Sequence, residues 1–149
     1  MTVQGNSITL GSGKDSYSAI GTGTTLVGGP QDAIEAIYAN IPNSAPATGD
    51  FEGYYTYRES GLFPTQIGTH HKNDLLACNT DVNVTISFGG RNWDISSADF
   101  AMTTTNGNKC IGAFFVLGSS TPAWIIGDTF LVRLFSPFPK NAPHPHLLL

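Results

Sequence analysis

No single long apolar stretch organises this chain; short apolar runs recur throughout, cut by Gly, Asn, Asp and Ser. Such punctuation belongs to hairpins and sheet rather than to a helical bundle, because each run is long enough to cross a sheet once and then meets a turn former. The chain is therefore read as mainly β. Candidate strands are Thr2–Val3 and Ser7–Leu10 around the turn at Gly5-Asn6, Ser16–Ile20, Thr25–Leu26, Val82–Phe88, Arg91–Ile95, Cys110–Leu117 and Trp124–Ile126.

One segment breaks the pattern. Ala33, Ile34, Ile37, Tyr38 and Ile41 repeat at three-and-four spacing between Pro30, suited to a first helical position, and Pro42, which cannot continue a helix. A second short helix is expected over Ser97–Phe100. The Pro, Ala and Ser rich stretch Asn43–Gly49 reads as surface loop.

With 149 residues and 40% hydrophobic content the chain can bury one core, so a second domain is not expected. Charged residues are scarce at 12%, and seven Lys and Arg against eleven Asp and Glu leave no basic face for phosphate. A nucleic-acid partner is excluded on that ground. No apolar run approaches the roughly 20 residues that span a bilayer, and no basic-then-apolar leader opens the chain, so neither a membrane partner nor a signal peptide is expected. Cys78 and Cys110 lie too far apart in sequence for a metal knuckle and suit one long-loop disulfide, with two buried thiols as the alternative.

The chemistry centres on Ala19–Pro30, AIGTGTTLVGGP. This stretch resembles the Ala-Ile-Asp-Thr-Gly-Thr-Thr-Leu signature of the pepsin-like fungal aspartic endopeptidases, matching at every position from Ile20 to Leu26 except Gly21, where the family places its catalytic aspartate. Two further segments carry the resemblance in the right order. Trp124-Ile125-Ile126-Gly127-Asp128 is similar to the family's hydrophobic-hydrophobic-Gly segment that threads beside the catalytic loop, and Ile86–Gly90 with Trp93–Ile95 to the strand pair between them.

The resemblance implies a fold, the C-terminal lobe alone of the pepsin-like acid protease, over residues 1–131 with an atypical insertion at 58–77. Residues 132–149 are an atypical tail, expected to be disordered. Both atypical segments are read as non-native, for instance translated introns, and Met1 as an internal methionine of a longer enzyme. It also implies a disulfide between Cys78 and Cys110, a secreted or vacuolar setting, no cofactor, and a peptide or protein substrate met jointly with an N-terminal lobe that this sequence lacks.

The implied activity is endoproteolysis at acidic pH, in which two carboxylates share a proton, one activating water while the other protonates the scissile carbonyl. Gly21 has no carboxyl, so no activity is expected of this chain alone. A peptide-binding pseudoprotease and a nonfunctional fragment are the alternatives. Substrate contact is expected at Thr22, Gly23, Thr24 and Ile125; the Thr22 hydroxyl is read as a tie to the other lobe, and Gly23 as a glycine required by close backbone approach. Neither Asp15 nor Asp128 is expected to replace the missing acid.

Other signals are set aside. Gly21-Thr22-Gly23 with Gly28-Gly29 lacks the spacing of a phosphate loop, and no Lys-Ser or Lys-Thr follows. His70-His71 and the pair His144 and His146 have no Cys or carboxylate partners at ligand spacing, so no metal is expected. Tyr54, Tyr55 and Tyr57 read as sheet packing. Asn83-Val84-Thr85 is a glycosylation sequon, meaningful only in a secreted chain.

Overall fold

The computed structural model describes residues 1–58, 81–88, 90–105, 109–118 and 122–135. Most of the atypical 58–77 segment, Cys78, the four histidines and the tail beyond Phe135 lie outside them.

The architecture is mainly β, as the punctuated pattern requires, with three sheets of four strands. The first runs β2 (Asn6–Ser7), β1 (Thr2–Val3), β7 (Val84–Phe88) and β8 (Arg91–Ile95), all antiparallel. The second runs β5 (Ala45–Pro46), β6 (Tyr55–Arg58), β10 (Lys109–Gly112) and β9 (Ala101–Thr105), also antiparallel. The third holds β11 (Phe114–Val116), β4 (Val27–Gly29), β12 (Trp124–Ile126) and β3 (Ser18–Ile20).

This third sheet is the unusual one. β12 lies between β3 and β4, parallel to the first and antiparallel to the second, so a late segment is inserted between two strands that follow each other in sequence. The loop joining β3 to β4 must therefore pass around the end of β12.

Helix α1 (Gln31–Ala39) forms where the spacing of apolar residues places it, with Pro30 one position before its first turn and the Ile34 N–H donating to the Pro30 carbonyl at 3.0 Å. Its inner face buries Ile34, Ile37 and Tyr38, each side chain contributing about 1.5–3 kcal/mol of apolar burial. Tyr38 stacks flat on Tyr55 with ring centroids 4.5 Å apart, and its hydroxyl donates to the Phe114 carbonyl at 2.9 Å. Burial holds the Tyr38 phenol well above the ordinary tyrosine range. The α1 face thus joins the second sheet to the third.

Helix α2 (Ser97–Phe100) is where the sequence places it, capped by Ser96, whose hydroxyl accepts from the Asp99 N–H. Helix α3 (Asp128–Phe135) crosses the boundary at 131 at which the lobe was expected to end, burying Phe130 and Leu131 and continuing for a further turn. The stretch Cys110–Leu117 is two strands rather than one. Ala113 breaks it: its N–H donates to Phe100 O at 2.8 Å and its carbonyl accepts from Val27 N at 2.9 Å, so the chain changes sheets at that residue. Cys110 is buried and disulfide-bonded.

Candidate functional site

Residues 21–26 form the loop between β3 and β4, and the inserted β12 sets its shape. The Gly21 N–H donates to the Ile126 carbonyl at 3.0 Å, continuing the β3–β12 ladder by one residue, and Thr24 N–H turns back to the Gly21 carbonyl at 3.3 Å. From the other side, Asp128 N–H donates to Thr24 O at 2.8 Å and Thr129 N–H to Thr25 O at 2.9 Å, with the Thr129 hydroxyl doubling the last bond at 2.8 Å. The loop is therefore held by backbone atoms of the first turn of α3, far away in sequence.

Gly127 is the residue that lets β12 pass. A β-carbon there would lie against the carbonyl oxygens of Thr24 and Leu26 and 2.9 Å from the Thr24 carbonyl carbon, atoms of fixed backbone that cannot move aside. Behind it, the Trp124 ring occupies the space where Gly29 would carry a β-carbon, and the Trp124 indole N–H donates to Asp15 O at 3.2 Å. That contact anchors the single-turn 3-10 segment Gly13–Ser16 to the same sheet.

The surroundings of Gly21 are looser. A β-carbon built there meets only the Ile125 Cγ2 and the Thr24 Oγ1, each at 3.7 Å, which is ordinary contact. Among the described residues no carboxylate oxygen comes within 4 Å of that point. Asp15 lies exposed in the 3-10 segment, and Asp128 opens α3 with its N–H committed to Thr24. Neither acid stands in for a side chain at position 21.

The structure brings Gly21, Thr24 and Ile125 together, while Thr22 and Gly23 form the exposed tip of the loop. Among the described residues the Thr22 hydroxyl makes no hydrogen bond. One expectation needs correction. Gly23 was read as a site of tight backbone approach, yet a β-carbon there would have nothing within 4 Å in this lobe. The glycine that close approach demands is Gly127, because the threading strand and not the loop tip is the crowded element.

Sequence reasoning also missed the face beside the loop. Among the described strands β3 lies at the edge of the third sheet, and Ile20 on it and Tyr17 just before it are 61% and 59% exposed, unusual for large apolar groups. The alternation of the strand was visible, but nothing in sequence distinguishes an edge from a centre. An open pocket of about 440 Å³ lies elsewhere, at the start of α1, lined by Thr9, Asp15 and Asp32 among others and by none of the loop residues.

The eukaryotic aspartyl protease family matches residues 1–145. The chain belongs to that family. Its relatives include the major aspartyl peptidase 1 of Cryptococcus neoformans, 32% identical over 151 residues, covering 95% of this chain and 27% of that protein. An aspartic protease of Phaffia rhodozyma is 33% identical over 127 residues, covering 81% of this chain and 26% of its own length. Cathepsin D of the dog, Canis lupus familiaris, is 25% identical over 145 residues, 92% of this chain and 30% of that protein. This aspartyl protease chain thus spans between 26 and 30% of the length of these three relatives, and its three sheets and short helices are those of a single pepsin-like lobe.

Proposed function

We propose that this chain is the C-terminal lobe of an aspartic-type endopeptidase in which the scaffold of the catalytic loop is kept and its reagent is missing. The observation that carries the reading is the loop itself: backbone bonds from Ile126, Asp128 and Thr129 fix residues 21–25, while Gly21 offers no carboxylate to the site they frame. Peptide hydrolysis in this family needs two carboxylates acting as a coupled acid and base, and one alone cannot alternate between the roles. The chain by itself therefore does not cleave peptides.

What remains is a surface. Thr22, Gly23, Thr24 and Ile125 are the residues that would touch an extended peptide, and the free Thr22 hydroxyl is available to a second lobe. Ile20, on β3 at the start of that loop, adds an exposed apolar side chain suited to a protein partner. That partner is the complementary N-terminal lobe. A disulfide between Cys110 and Cys78 completes the lobe, and the oxidising compartment it needs is a secreted or vacuolar one.

Calorimetry with a statine-bearing peptide at acidic pH tests the retained surface. Saturable heat that is lost in Ile125→Asp supports a peptide-contacting lobe. No heat at high peptide concentration from a folded chain shows a scaffold without a ligand.

A further inference from the structure

Asn83 lies where the fold leaves one asparagine side chain free beside two fully buried valines. Val82 and Val84 are 0% and 1% exposed and point into the core, so the alternation of an extended chain turns Asn83 outward between them. Its backbone is fixed independently of its side chain: the Asn83 carbonyl accepts from Gln4 N–H at 2.8 Å, and the Gln4 amide donates to Asp81 O at 2.8 Å. Among the described residues the Asn83 side-chain amide makes no hydrogen bond. Asn83-Val84-Thr85 is the one N-x-Ser/Thr triplet in the sequence.

From this placement we infer that Asn83 is an N-glycan acceptor, modified by an oligosaccharide carried on a lipid pyrophosphate. The amide nitrogen Nδ2 forms a bond to the anomeric carbon of the first sugar. The bond from that carbon to the pyrophosphate oxygen breaks, the lipid pyrophosphate leaves with the electron pair, and the amide gives up one proton.

Two features of the structure favour this reaction over an accidental triplet. Cys110 is disulfide-bonded, which places the chain in the oxidising route where such transfer occurs. Among the described residues there is also room for the product, because a glycan on an exposed side chain at the entrance of β7 displaces no hydrogen bond and no core atom of theirs. Its sheet, β2-β1-β7-β8, is separate from the sheet that carries the Gly21 loop.

The order of events follows from Thr85. In the folded lobe its hydroxyl donates to the Asp94 carboxylate at 2.7 Å across β7 and β8. The transfer therefore uses the extended chain as it enters the lumen, before that hairpin closes.

The inference rests on the secretory route proposed above, and the test separates the two. The full chain is translated behind a cleavable leader with microsomes, which supplies the lumen whatever its natural route. A protease-protected product retarded by one glycan is expected. The shift disappears with endoglycosidase and in Asn83→Gln or Thr85→Ala, and persists in Thr85→Ser. Because transfer precedes folding, the readout holds even for a variant that folds poorly. A protected chain without the shift, or a shift that survives Asn83→Gln, overturns the assignment. Failure of the route itself is read separately, from the location of the protein in its own cells.

Discussion

Gly127 and Thr24 are in such close apposition that the absence of a single β-carbon decides whether β12 can enter the third sheet. The hydrogen-bonding partner of the same Thr24 carbonyl is Asp128 N–H, one residue further on, at 2.8 Å. Crowding and bonding therefore meet at one carbonyl. Gly127→Ala should cost the lobe about 1–3 kcal/mol or more, because the obstructing atoms are backbone. Gly23→Ala, at the open tip, should change stability by only about 0.5 kcal/mol. Urea unfolding of the two variants measures the contrast, and equal losses would show that the crossing is not the tight point.

Two buried tyrosines behave oppositely on loss of their hydroxyls. The Tyr38 hydroxyl donates to Phe114 O, whereas the Tyr57 hydroxyl is buried without a hydrogen-bond partner among the described residues. Tyr38→Phe should destabilise by about 1–3 kcal/mol, since it leaves a buried acceptor unpaired, and Tyr57→Phe should be neutral or stabilising by about 1 kcal/mol. Thermal unfolding under matched conditions checks both. A large loss in Tyr57→Phe would mean that the hydroxyl has an ordered partner.

The same phenols set an alkaline limit. Burial pushes Tyr57 from 10.0 up to about 12, so the folded state favours the neutral form more than the unfolded chain does. Its contribution to stability is fully present below pH 10 and is lost as the pH rises through 10 toward 12. Tyr38 and Tyr55 are raised in the same direction, also by burial, so Tyr57→Phe should reduce the alkaline slope without abolishing it. Denaturant midpoints measured from pH 8 to pH 12 follow the effect.

Edge strand β3 predicts self-association. Ile20 is exposed on β3, whose outer side is unpaired among the described residues, the combination that recruits another chain. Ile20→Thr, which keeps a β-branched residue on the strand, should lower association without loss of fold. Sedimentation velocity across a concentration series reads the change, and unaltered association would place the sticky surface elsewhere.

Local patterns in the sequence were legible where local forces decide the structure. Helix α1 and strands β8 and β12 follow from spacing, proline position and apolar runs alone. Three of the misplacements share one physical origin. β4 begins at Val27 rather than Thr25 because Asp128 and Thr129, a hundred residues away, claim the Thr24 and Thr25 carbonyls for α3. The run Cys110–Leu117 splits because Ala113 bonds to Phe100 and Val27, partners in different parts of the chain. The two-residue strand β5, inside a stretch read as loop, exists only through pairing with β6. At the site, the identity of the loop was readable from its motif, while the crossing at Gly127 and the exposure of Ile20 arise from three-dimensional neighbours that no spacing rule reports.

The direct measurement is cleavage of a quenched peptide at acidic pH by the purified, folded chain, with and without pepstatin. No pepstatin-sensitive turnover is predicted, since no carboxylate stands at position 21. Gly21→Asp should fold equally well, because its β-carbon meets only Ile125 and Thr24 at 3.7 Å. Pepstatin-sensitive turnover by the unmodified chain would contradict the account, since it would require an acid that the Gly21 loop does not hold.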